Sequence, residues 1–147
     1  PGMLSGEQIG AYSLSEPQAG SDAAALQCKA TPTDGGYLIN GSKAWITHGG
    51  RADFYNLFAR TGEGSRGISC FLIPADQPGL SFGKPEEKMG LAAVPTTSAF
   101  YDNALVDPPE RRIGAEGQGL GIAFSALDSG GDWASQPSPS HRAGRPR

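Results

Sequence analysis

Two short stretches of the chain bring together residue types that could do chemistry. The first is Tyr12-Ser13-Leu14-Ser15-Glu16-Pro17-Gln18-Ala19-Gly20-Ser21-Asp22. A strand that runs into a turn rich in Ser, Gly and Asp presents several hydroxyls and backbone N–H groups together, a surface suited to carbonyl or phosphate oxygens. An ordinary polar turn, closed by an Asx-type hydrogen bond at Asp22, accounts for the same residues. The second stretch is Trp45-Ile46-Thr47-His48-Gly49-Gly50. Strand alternation puts Trp45 and Thr47 on one face and Ile46 on the other. A large π-surface beside a hydroxyl, followed by glycines that let another group approach closely, suits a planar aromatic cofactor. A core Trp near a strand end is the alternative, and His48 alone reads as a turn residue.

The elements that must position these groups are short and β-like. Ile9–Leu14 and Leu26–Thr31 read as strands, the second ended by Pro32 and an Asp34-Gly35-Gly36 turn. Tyr37-Leu38-Ile39 follows, and Asn40-Gly41 predicts a tight hairpin because both residues tolerate positive φ. Lys43–Thr47 would then return along it. Phe54–Arg60, Gly67–Ile73, Leu80–Phe82 and Ser98–Val106 complete the strands, at the turn spacing of a sandwich or barrel. One helix is predicted over Gly117–Leu127, with Leu120, Phe124 and Leu127 on its apolar face and Gly130-Gly131 as its stop. Residues 130–147 contain no Leu, Ile, Val, Met, Phe or Tyr, so this tail is predicted to be disordered.

Composition narrows the function classes. The 147 residues carry 22 Gly and 12 Pro, with a net charge of −3. That balance argues against a nucleic-acid surface or a polybasic membrane anchor. No apolar run approaches the ~20 residues of a membrane-spanning helix. Cys28 and Cys70 lack metal-ligand spacing, so no metal site is expected and both read as reduced, buried thiols of a cytoplasmic protein. A chain of this length suits one domain.

Four blocks in a fixed order, YSLSEPQAGSD, NGSKAWITHGG, KMGLAAVPTT and GAEGQGLGIAFSALDSG, make residues 3–130 resemble the acyl-CoA dehydrogenase family. The resemblance implies a mainly β fold: residues 1–116 as a middle-domain β-barrel, 117–129 as the start of a truncated C-terminal helical domain, and 130–147 as the tail. It implies FAD as cofactor, an acyl-CoA substrate oxidised to the trans-2-enoyl-CoA in fatty-acid β-oxidation, and an electron-transfer flavoprotein as acceptor. In this family the cofactor does the electron chemistry and the protein positions and tunes it. By resemblance, Leu14 and Ser15 meet the flavin's pyrimidine edge, Trp45 flanks the ring system, and Thr47 places a hydroxyl near N5. Tyr12 and Ile46 lie in the same matched cofactor-binding runs. Ser21 matches a residue on the acyl-CoA thioester arm, and Asp128 an acidic residue of the CoA-binding helix.

Other implications concern what the matched region lacks. The family's catalytic glutamate falls beyond residue 147, or near positions held here by Ser129, Gly130 and Gly131. No catalytic residue is therefore assigned, and the chain alone is expected to be inactive. The tail is expected to be the product of a one-base frameshift near residue 130, since an adjacent reading frame permits a family-like helix beginning with Arg. A homo-oligomer is expected for the complete protein, and the mitochondrial matrix for a eukaryotic one. An acyl-CoA oxidase-like fragment and a non-catalytic β-barrel that binds a ligand or partner remain as alternatives.

Overall fold

A computed structural model describes residues 2–107 and 111–134. A short helix α1 (Gly2–Ser5) is followed by strands β1 (Gly10–Ser13), β2 (Lys29–Thr33), β3 (Gly36–Thr47), β4 (Phe54–Arg60), β5 (Ile68–Pro74), β6 (Leu80–Phe82), β7 (Thr96–Val106) and β8 (Arg112–Ile113). Helix α2 (Gly119–Ala134) comes last. The strands form one eight-stranded sheet in the order β6-β7-β3-β2-β4-β5-β8, with β1 laid parallel along β4. Its end strands β6 and β8 do not pair with each other, so the expected barrel is not closed by hydrogen bonds. The two end strands are only three and two residues long, too short to complete a ladder. No helix among the described residues is long and apolar enough to cross a membrane.

The predicted Asn40-Gly41 hairpin is absent. The chain turns at Asp34-Gly35 as expected, where Thr33 pairs with Gly36, but β3 then runs through Asn40-Gly41 without reversing. Pro32 likewise does not end β2 but sits opposite Tyr37. The positive φ that Asn-Gly permits serves close approach here. Gly41 has φ +146°, and a Cβ there would lie 2.7 Å from Cys28 Cα. Asn40 pairs with a bulge on the neighbouring strand, accepting from Asn103 N–H at 2.9 Å.

The larger core is built from inward residues of β2–β5 and β7, including Ile39, Ile46, Tyr55, Leu57, Phe71 and Ile73. Each such side chain, fully buried, contributes roughly 1.5–3 kcal/mol relative to leaving it exposed. A second cluster, with Leu14, Leu26, Phe58 and Ile68, lies under α2. That helix does not use its predicted face. Ala123 is buried, Leu120 and Ile122 are half-buried, and Phe124 and Leu127 are about half exposed. The reason is steric: a Cβ on Gly119 would sit 2.7 Å from the Ile68 carbonyl, so only small residues let the helix this close to β5. The helix also continues through Gly130-Gly131 to Ala134, which corrects the expected stop and the disorder expected of residues 130–134. Glycine inside a helix is unfavourable by about 1 kcal/mol but does not remove a backbone bond. Residues 135–147, the rest of the predicted tail, lie outside the described residues.

Candidate flavin-facing site

The end of β1 and the end of β3 are held together by three bonds. Lys43 Nζ donates to the Leu14 carbonyl at 2.9 Å and to Glu16 Oε1 at 2.7 Å. Ala44 N–H donates to the Ser15 carbonyl at 2.9 Å. The two stretches singled out by residue type are therefore neighbours, although about thirty residues separate them in the chain. Beyond Ser15 the backbone closes on itself, with Glu16 and Ala19 exchanging both N–H···O bonds. Asp22 then precedes a 3-10 turn, Ala23–Ala25, without capping it by its side chain. An Asx-type closure at Asp22 thus does not explain this turn.

On β3 the register against β7 slips between Lys43 and Ile46, a bulge at Ala44-Trp45. Lys43 and Ala44 are consecutive and both buried, which plain alternation forbids, and the bulge re-aims the side chains after it. Trp45 takes φ +57° and is 56% exposed, Ile46 is buried in the core, and Thr47 is exposed. Exposure thus alternates over these three residues once the bulge has been passed. Gly49 makes the next turn possible, since a Cβ there would lie 2.3 Å from Thr97 Cγ2.

Burial at this junction is polar as well as apolar. The Lys43 side chain is fully buried and Glu16 is 2% exposed. Glu16 also accepts from Gln27 N–H at 2.7 Å, Cys28 N–H at 2.9 Å and Gln18 Nε2 at 2.6 Å, so its lone pairs are well used. Burial opposes its ionisation, but Lys43 and the two backbone donors outweigh that and hold the carboxyl below its ordinary value. Burial pushes the Cys28 and Cys70 thiols up to about 12, and both are free and buried.

The other matched residues are spread more widely. Ser15 is half-buried at the junction, and Leu14 packs in the cluster under α2. Tyr12 does not point to the junction through its hydroxyl, which donates to the Ala123 carbonyl at 3.1 Å while its ring packs on Phe58. Ser21 is exposed beyond the turn, and Asp128 is exposed on α2. The buried Lys43–Glu16 pair and the bulge were missed from sequence. No local pattern in the sequence marks this lysine as buried or sets it opposite the glutamate.

An exposed indole on the β3 bulge, the exposed Thr47 two residues along the same strand, and Ser15, whose carbonyl Ala44 holds, offer a π-face and two hydroxyls on neighbouring segments. Comparison with known proteins gives this arrangement its family. Residues 11–104 match the model of the acyl-CoA dehydrogenase middle domain. The chain belongs to the acyl-CoA dehydrogenase family. It is 47% identical to a mitochondrial isobutyryl-CoA dehydrogenase of Dictyostelium discoideum, over 88% of this chain and 32% of that protein. Butyryl-CoA dehydrogenase from Megasphaera elsdenii has the same fold, with a TM-score of 0.84 and 41% identity over 88% of this chain and 34% of that one. A chain in a structure described as the electron transferring flavoprotein of Acidaminococcus fermentans gives 0.83 and 40%, over 86% and 34%. The chain thus spans about a third of the length of these relatives.

Proposed function

We propose that this chain forms one wall of a FAD site that serves the oxidation of acyl-CoA thioesters to trans-2-enoyl-CoA. When bound, the flavin supplies the two-electron acceptor chemistry; the chain's own residues hold and orient it. In this reading the Leu14–Ser15 backbone and the Ser15 hydroxyl hold the pyrimidine edge. Trp45 covers a ring face with Ile46 anchoring the strand beneath it, and the Thr47 hydroxyl lies near N5. A donor there stabilises negative charge as the ring is reduced. Tyr12 acts one step back, by fixing β1 against α2. Ser21 and Asp128 are the acyl-CoA contacts.

The observation that carries the reading is the junction itself: Lys43 and Ala44 of β3 hold both carbonyls that flank Ser15. A general base is not proposed among the described residues. Glu16 is enclosed by its donors, and the Glu116 carboxylate accepts from the Tyr37 hydroxyl at 3.0 Å. The 147-residue chain alone is accordingly proposed to lack dehydrogenase activity. An electron-transfer flavoprotein is the proposed acceptor, self-association the proposed state of the complete protein, and the cytoplasm or mitochondrial matrix the proposed setting. Titration of the purified chain with FAD tests the reading. Saturable quenching of flavin fluorescence with a perturbed visible band supports it, and a folded chain that leaves the flavin spectrum unchanged overturns it.

A further inference from the structure

Among the described residues Lys43 is the largest charged side chain fully removed from solvent, and it lies on the strand that carries Trp45 and Thr47. Stability gives little reason for burying such a pair, because well-packed apolar replacements are often neutral or stabilising. Its second bond is more informative. The ammonium donates at 2.9 Å to the Leu14 carbonyl, which belongs to the same peptide group as the Ser15 N–H. A cation on that oxygen draws electron density through the planar amide and makes the Ser15 N–H a stronger donor. The next residue, Ala44, holds the other carbonyl flanking Ser15 at 2.9 Å. Glu16 neutralises the same ammonium at 2.7 Å, so the pair polarises one peptide without adding net charge.

We propose that Lys43 is a positioning residue for the flavin: it locks Ser15 to the Trp45 bulge and polarises the Leu14–Ser15 peptide, favouring the reduced ring. The proposal rests on the flavin reading above. Because negative charge builds on the ring when it is reduced, a stronger donor at its edge binds the reduced form better than the oxidised form.

The test uses the full 147-residue chain with FAD. Lys43→Met combined with Glu16→Gln removes the polarising charge without leaving a partner ion buried. The variant is expected to keep the sheet's circular dichroism and to bind FAD about tenfold more weakly, because the Ser15 N–H remains but loses its charge assistance. Its bound flavin is expected to have a more negative midpoint potential. A folded variant with unchanged affinity and potential overturns the role of Lys43. An unaltered chain that binds no FAD overturns the flavin reading, and this proposal with it.

Should the double variant fail to fold, the unaltered 15N-labelled chain decides. The Ser15 amide is expected to move downfield as FAD is added, together with the Trp45 indole signal. A Trp45 signal that moves while Ser15 stays still overturns the proposal and leaves the flavin reading standing.

Discussion

The Tyr12 hydroxyl donates to the Ala123 carbonyl at 3.1 Å, joining the first strand of the sheet to its last helix across 111 positions of sequence. The ring beneath it packs on Phe58 with centroids 5.0 Å apart, and burial pushes the phenol up to about 12, so it stays a neutral donor through the physiological range. The Tyr12→Phe variant keeps the ring contact and deletes the bond. It should lose about 1 kcal/mol of stability. Hydrogen exchange is the discriminating measurement, because opening of α2 should accelerate while β4 and β5 keep their protection. Uniform acceleration across the sheet would show that the bond does not belong specifically to the helix.

The Glu16 carboxyl gives folding a pH dependence of definite sign. Burial is the largest influence and works against ionisation, but Lys43, Gln27 and Cys28 together leave the group below its ordinary value of 4.5. A carboxyl whose folded value is depressed contributes stability above its unfolded value, and that contribution disappears as pH falls through the folded value. Glu16→Gln should be destabilised by about 3 kcal/mol or more near neutrality, since it strands the buried Lys43 charge. The gap between variant and unaltered chain should then narrow below about pH 4.5 in urea titrations. A gap that stays constant down to acid pH would mean that Glu16 is not the titrating group.

What could be read in the sequence, and what could not, divides along physical lines. β4 and β6 were legible to the residue, because a β-rich run bounded by turn formers has few other uses. Asn40-Gly41 misled, because the dipeptide reports only that positive φ is tolerated. Whether the chain reverses there or lets Cys28 approach is decided by residues far away. The helix face misled for a related reason. Periodicity ranks Leu120, Phe124 and Leu127 by size, whereas a β5 backbone close enough to touch Gly119 selects for smallness. In the candidate site, the family blocks pointed to Ser15 and Trp45. The Lys43–Glu16 pair that brings them together was invisible, since no local pattern marks a lysine as buried.

Gly49 should be intolerant of any side chain. A Cβ there would meet Thr97 Cγ2 at 2.3 Å and the Ile46 carbonyl at 3.1 Å. Gly49→Ala is expected to cost about 2 kcal/mol, within the usual range for overpacking. Adding Thr97→Ser removes the clashing methyl and keeps the hydroxyl that donates to the Gly83 carbonyl at 2.8 Å. The double variant should recover a good part of the loss in thermal denaturation. If it recovers nothing, the contact with Thr97 is not what excludes a side chain.

Trp45 separates strain from binding. A bulky residue at φ +57° pays for a backbone state that glycine adopts freely, at about 1 kcal/mol or more. With 56% of its surface exposed, the indole returns little of that through packing. Trp45→Gly should therefore leave the chain as stable as before or slightly more stable, by up to about 1 kcal/mol. The same variant should lose flavin affinity, because the ring face has gone. Trp45→Phe keeps a π-surface and should retain part of it. Stability and affinity moving in opposite directions is the signature of a residue held in strain for a ligand, and equilibrium denaturation paired with FAD titration measures both. A Trp45→Gly chain that is clearly destabilised would instead make the indole a packing element of β3, and the bulge a feature of the sheet alone.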